Sequence, residues 1–259
     1  MARKLEITNL RYAYDAVDAI DNITLHVDKG EFVGVIGPNG CGKSTTLKCV
    51  YGALKPHEGV ITLDGDDLDK LSARERAAKI AVVGQESEIA FDFNVREIVA
   101  MGRNPHKRLF ESDNVGDKNI VSDALSKVGM AEFAERGFRS LSGGEKQRVL
   151  IARAIAQQAE FMILDEPTNH LDISYQLLVF ETVKRLGVTT LAAIHDMNLA
   201  SLFCDRIYVM RSGKIYACGT PDQIIKPELI KDVFGVTADI HKHELTGRPH
   251  AAFIPENII

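Results

Sequence analysis

The stretch FVGVIGPNGCGKSTT, residues 32–46, constrains this chain more than any other. An apolar run ends in glycine, four residues follow, and then glycine, lysine and serine open a helical pattern, giving G-x-x-x-x-G-K-S. A buried strand has to turn sharply into a helix there. The loop of Gly37, Pro38, Asn39, Gly40, Cys41, Gly42, Lys43, Ser44 and Thr45 is then expected to wrap phosphates. Backbone N–H groups of residues 40–43 and the positive end of the helix dipole supply the cradle. Lys43 would bridge the β- and γ-phosphates, and the Ser44 hydroxyl would hold Mg²⁺. Cys41 is small and reads as filler, not as a nucleophile. A plain glycine-rich turn is the alternative, and the strand–loop–helix context speaks against it.

A second stretch, FMILDEP (residues 161–167), puts two acids after four apolar residues. A buried strand delivering Asp165 suits a carboxylate that holds the metal through water. Glu166, one residue on, points elsewhere and could polarise an attacking water. Alone, the pair reads as an acidic loop. Beside a phosphate loop, nucleotide hydrolysis is the stronger reading.

A third stretch, LSGGEKQRVLIARA (residues 141–154), starts a helix, because Ser142 with Glu145 makes a capping box. The cap needs only the serine. Gly143 and Gly144 bare further backbone N–H groups, as an anion-binding helix start does. Yet the chain already has a phosphate loop about a hundred residues upstream. Gln85 at a strand end could sense Mg²⁺ or the attacking water, His195 could touch a γ-phosphate, and Tyr14 could stack on adenine. Taken singly, each also has an ordinary structural reading.

Net charge is −5, with 31 basic and 36 acidic residues, which argues against a general nucleic-acid binder. Four cysteines form no C-x-x-C pair and fit a reducing compartment. Glu6 interrupts the place where an export signal would be apolar, and no uncharged apolar run nears the roughly eighteen residues a membrane span needs. A soluble, intracellular chain is expected, acting on a membrane only through a partner. Strand patterns fill residues 1–85 and return over 160–240. Between them, residues 86–159 read as amphipathic helices, so a helical lobe is inserted in a mixed-sheet core of one domain. The tail, 241–259, shows no strong periodicity.

Tyr14, GPNGCGKS, Gln85, LSGGE, ILDEP, NHLD and His195, in this order and spacing, resemble an ABC-type ATPase subunit from residue 3 to about 236. The resemblance implies an α/β P-loop NTPase fold, a RecA-like core with an antiparallel β subdomain and an inserted helical lobe. It makes Tyr14 the adenine-stacking position and Lys43 and Ser44 the phosphate-loop pair. Gln85 becomes the Q-loop, Leu141, Ser142, Gly143, Gly144 and Glu145 the signature, and Asp165 a Mg²⁺ carboxylate. Glu166 becomes the catalytic base, Asp172 the D-loop acid and His195 the switch histidine. In this family two chains pack head to tail, so the signature would meet the γ-phosphate of ATP held by a second copy.

The chain carries no membrane helices, no second cassette and no long coiled-coil insertion, which leaves a separate importer ATPase at the cytoplasmic face of the membrane. Such a subunit works with polytopic permease subunits and, through them, a substrate-binding protein. The stretches around VAMGRNPHKRLF and HDMNLASLFCDRIYVMRSGKIYACGTPDQII resemble subunits serving iron-siderophore, haem and cobalamin uptake. The rival is a soluble ABC ATPase that moves no cargo, such as an iron–sulfur assembly scaffold. Residues 85–110 are expected to form the permease dock, with Ile89, Ala90, Phe91 and Phe93 as its apolar part and Arg103, His106, Lys107 and Arg108 as its basic rim. Phe91 and Phe93 packed inside the lobe are the alternative. His241, His243 and His250 raise a metal site, against the simpler reading of a histidine-bearing tail.

Overall fold

A computed structural model describes residues 2–15, 17–84, 92–108, 111–169 and 171–255. Strands β1 (Arg3–Tyr14) and β2 (Val17–Asp28) form a hairpin, β3 (Phe32–Ile36) leads into α1 (Lys43–Tyr51), and β4 (Glu58–Leu63) and β5 (Asp66–Asp67) follow. Next come α2 (Ala73–Lys79), β6 (Ile80–Val83), α3 (Val95–Ala100), α4 (Val115–Lys127), α5 (Gly143–Ala156), β7 (Phe161–Asp165) and α6 (Ile173–Leu186). The chain continues through β8 (Thr189–Ala193), α7 (Met197–Phe203), β9 (Arg206–Arg211) and β10 (Lys214–Gly219). It closes with α8 (Pro221–Ile224), α9 (Pro227–Phe234), β11 (Thr237–Lys242) and β12 (Pro249–Ile254). These divide into two compact units, residues 1–70 with 189–259, and residues 71–188.

The first unit holds an antiparallel sheet in the order β2-β1-β4-β5. Leu5 and Ile7 of β1 face the core across from Val27 and Leu25. Period-two alternation then breaks: Asn9 sits at φ 51°, the register shifts, and Leu10 becomes the next buried residue. In the same unit β3 lies between β8 and β9 and pairs in parallel with both, and β10 returns antiparallel to β9. All five residues of β3 and of β8 are buried, as expected of parallel strands covered on both faces.

In the second unit β6 and β7 pair in parallel, and α3, α4 and α5 pack on one another through Ile98, Val121, Leu125 and Val149. Helices α2 to α5 each begin with a capping box, at Ser72, Asn94, Asn114 and Ser142. Satisfying two orphan N–H groups at each start lets helices this short persist.

The structure corrects the basic rim. Arg103 is only 7% exposed. Its Nε donates to Asp117 Oδ1 at 3.0 Å, and its Nη1 donates to Ala156 O at 2.8 Å and Gln158 Oε1 at 3.0 Å. Lys107 pairs with Asp113 and Asp117. Two of the four basic groups therefore neutralise acids inside the lobe, and the Arg103 guanidinium holds the Asp117 carboxyl below the usual carboxylate range. Phe93 is half-buried, and Ile89, Ala90 and Phe91 lie outside the described residues. The tail also differs from expectation. Residues 237–254 form the β11–β12 hairpin, held by Asn198, whose side-chain amide donates to Ala251 O and accepts from Ala251 N. A side chain two-way bonded to one residue's backbone imitates a third strand, which periodicity does not reveal. His241 faces His250 across this hairpin, ring centroids 5.2 Å apart, and no metal-binding group of three or more acid, histidine or cysteine side chains occurs among the described residues.

Candidate nucleotide-binding site

In the first unit β3 delivers Gly37 at its carboxyl end, and the chain turns through Asn39 and Gly40, both exposed, into α1. Gly42 precedes the helix at φ 103°, where a Cβ would lie 2.6 Å from Ala19 O. No other residue fits that turn. Lys43 is 4% exposed, and its Nζ donates back to Gly37 O at 2.8 Å and Pro38 O at 3.2 Å. A buried ammonium needs such partners, and these two hold it inside the loop. Ser44 and Thr45 are half-buried in the first turn, while Thr46 is buried and donates to Gly42 O at 2.9 Å. Cys41 is buried.

Because β8 pairs in parallel with β3, with Val35 opposite Ala193, exposed His195 emerges at the same sheet edge as the loop. Asp196 then caps α7, accepting from Asn198 N and Leu199 N. Tyr14, 47% exposed at the end of β1, meets Tyr12 edge-on at 5.0 Å, and Tyr12 stacks on His57. The same hairpin contributes Ala19 and Ile20 against Gly42. One unit thus gathers the loop, His195 and Tyr14.

In the second unit β7 is buried throughout and ends in Asp165, 9% exposed. Glu166 follows at φ 52°. It precedes Pro167, which ordinarily drives its neighbour toward extended backbone. A left-handed glutamate there costs about 1–3 kcal/mol and has to be held by its surroundings. Asn169 supplies the hold, donating from Nδ2 to Glu166 Oε2 at 2.8 Å. β6 runs parallel to β7 with Val83 opposite Leu164, so both strands end at one edge. Gln85 and His170 lie outside the described residues.

The signature turn is in this unit too. The Ser142 backbone N–H donates to Glu145 Oε2 at 2.7 Å, and the Ser142 hydroxyl does so at 2.9 Å. Those two bonds hold the Glu145 carboxyl below its usual range. Leu141 is buried, and Ser142 and Gly143 are exposed. Gly144 is buried, and a Cβ on it would come within 2.7 Å of the Tyr175 ring. Asp172 is exposed at the start of α6, with no side-chain cap bond, and Ile173 beside it is 75% exposed. Sequence reasoning missed Asn169 and Tyr175. Asn169 stood inside the quoted NHLD stretch, whereas nothing near Tyr175 signals its contact with Gly144.

A glycine-rich strand–loop–helix enclosing a buried lysine defines the P-loop nucleotide-binding class of protein. Residues 20–169 match the family described as ABC transporter. The cobalamin import ATP-binding protein of Halobacterium salinarum is 37% identical over 256 residues, which cover 97% of this chain and 64% of that protein. The hemin import ATP-binding protein of Pseudomonas fluorescens is 38% identical over 253 residues, covering 95% of this chain and 98% of that protein. Among solved structures, a chain of an inward-facing ABC transporter assigned to the metal-chelate type superposes with a TM-score of 0.86 at 27% identity, covering 100% of both chains. A dimeric bacterial ABC transporter cassette gives 0.75 at 28% identity, covering 83% of this chain and 98% of that one. The chain belongs to the ABC transporter family.

Proposed function

We propose that this chain hydrolyses ATP as a head-to-tail dimer of two copies and so powers an importer for a metal-chelate cargo of the iron-siderophore, haem or cobalamin kind. One observation carries the reading: a complete motif set lies on a chain that aligns along 98% of a hemin import ATP-binding protein. The chain spans 64% of the length of the cobalamin relative, so cargo and partners rest on the chemistry below and on experiment. Residues 1–85 and 160–240 serve as the nucleotide-binding core and 86–159 as the helical lobe, and 241–259 carries most of the β11–β12 hairpin. No helix among the described residues is long and apolar enough to cross a membrane. Import therefore works through polytopic permease subunits, with this chain peripheral at the cytoplasmic face and a substrate-binding protein acting indirectly.

The residues fit the nucleotide. The 37–45 turn leads into the N-terminus of α1, and Lys43 already sits among loop carbonyls. Tyr14 stacks on the base. Ser44, Asp165 and Gln85, as the sequence motifs assign them, would supply oxygen ligands of the hard kind that Mg²⁺ prefers. When bound, Mg²⁺ neutralises charge on the phosphates. Glu166, aimed by Asn169, takes the proton of the attacking water, and His195 contacts the γ-phosphate. Ser142 and Gly143, exposed at the start of α5, serve the ATP of the second copy, with Asp172 at the dimer seam.

The test is whether a polytopic membrane protein is encoded beside this gene and co-purifies with this chain, followed by ATP-dependent uptake of labelled haem, ferric siderophore and cobalamin in vesicles. Uptake of one of the three that stops with Glu166→Gln supports the reading. A hydrolysing dimer that binds no membrane protein and moves none of them returns the chain to a scaffold role.

A further inference from the structure

The ring of Tyr175 occupies the space that a side chain at residue 144 would need. A Cβ on Gly144 would stand 2.7, 2.8 and 2.9 Å from Tyr175 Cγ, Cδ1 and Cδ2. One turn further along α5, the Arg148 guanidinium carbon lies 5.9 Å from the centroid of the same ring. Residues four apart share one helix face, so Gly144 and Arg148 grip Tyr175 together. Arg148 Nε is buried with no hydrogen-bond partner among the described residues, and Nη1 makes only long bonds to Val128 O and Gly129 O, at 3.5 and 3.4 Å. The aromatic face therefore adds a cation–π contact to a guanidinium whose other bonds are long.

Tyr175 belongs to the first turn of α6, where its N–H donates to Asp172 O at 2.9 Å. Its neighbour Gln176 donates from Nε2 to Leu171 O at 2.9 Å and to Thr168 O at 3.4 Å. The residues so held, Thr168 and Leu171, follow Asp165 closely and flank Asn169, which bonds Glu166. A Cβ on Gly143 would meet only Leu171 Cδ2, at an ordinary contact distance of 3.9 Å, so the steric demand for glycine falls on Gly144. The signature turn and the acid-bearing segment of one chain are therefore clamped to each other through a single aromatic ring.

We infer that Tyr175 is a positioning residue for hydrolysis: it locks the signature turn to the segment carrying Glu166 and Asp172, so that each chain presents both parts in one fixed relation. The inference rests on the dimeric ATPase reading above. In that dimer a chain's Glu166 serves its own ATP and its signature serves the second copy's. A loosened Tyr175 contact would let the signature drift while the phosphate loop of the same chain stays intact. Turnover falls and nucleotide affinity does not. Arg148 adds a requirement for a π face rather than for bulk.

Tyr175→Ala, Tyr175→Phe and Tyr175→Leu are compared in the full-length chain by ATPase kinetics, by titration with a fluorescent ATP analogue, and by ATP-induced dimerisation in a Glu166→Gln background. Tyr175→Ala is expected to lower kcat about tenfold or more with KM and analogue affinity within about twofold, and Tyr175→Phe to recover most of the loss. Its dimer should form at higher protein concentration than that of the otherwise identical chain. If Tyr175→Ala does not fold, the ratio of Phe to Leu variants decides, with about tenfold higher kcat for Phe expected. Wild-type kcat in Tyr175→Ala, or Leu restoring kcat as well as Phe, overturns the positioning role and leaves the ATPase reading standing. A wild-type chain that neither hydrolyses ATP nor dimerises with it overturns both.

Discussion

At the start of α1, Gly42 stands at φ 103°, and the lysine beside it curls back over the loop. At the start of α5, Gly143 and Gly144 already belong to the helix, Ser142 closes a capping box, and Gly144 is covered by Tyr175. Both starts present a positive dipole end. They use glycine for different reasons, the first for a backbone turn no other residue makes, the second for contact with a ring. α1 has no side-chain cap at all, which leaves its orphan N–H groups open to the phosphate proposed above. α5 satisfies its own cap and still leaves Ser142 and Gly143 exposed. A glycine start that turns the backbone and one that packs on a ring are thus distinguishable by local geometry.

The strongest way to separate the two starts is to stop chemistry while both stay intact. Glu166→Gln should lower turnover by about 10²–10⁴-fold with ATP affinity retained, read by phosphate release and by analogue titration. A control away from both starts comes next. Arg103→Ala removes the partner of buried Asp117 and should cost about 3 kcal/mol in urea denaturation, with turnover per folded molecule unchanged. The sign with pH follows from the same pair. Because the folded Asp117 carboxyl is held below its ordinary value, its contribution is full at neutral pH and is lost as pH falls from about 4 through the lowered value. Arg103→Ala should flatten that acid limb of stability.

Gly42→Ala breaks the α1 start alone. Strain of about 1–3 kcal/mol at that φ, with a Cβ pressed on Ala19 O, should weaken ATP binding about tenfold, whereas Gly144→Ala should spare binding and reduce turnover. The smallest effect is at the cap. Ser142→Ala should cost about 1 kcal/mol of stability, since the α5 start loses a bond that the α1 start never made.

What was legible in the sequence is what is local. The strand–loop–helix of residues 32–51, the capping box at Ser142 and the buried run of β7 each follow from a few adjacent residues, and the structure places these elements as read. Arg103 and Lys107 were misread because their partner, Asp117, stands on another helix and only folding brings it near. Hairpin β11–β12 was missed because Asn198, from α7, completes its hydrogen bonding. Glu166 stood out in the sequence as an acid beside Asp165, but its left-handed backbone did not, because a residue before proline is biased toward extended backbone. Tyr175 left no trace, because the reason for Gly144 lies in a ring from the following helix.

The central claim is that the α5 start acts on an anion held by another chain. One tagged copy carries Ser142→Cys and another Asn39→Cys, both in Glu166→Gln chains with Cys41, Cys49, Cys204 and Cys218 replaced. Mild oxidation with ATP and Mg²⁺ should give a disulfide between the two tags, and oxidation without nucleotide should give almost none. A crosslink that forms equally well without ATP, or none under either condition, would contradict the account.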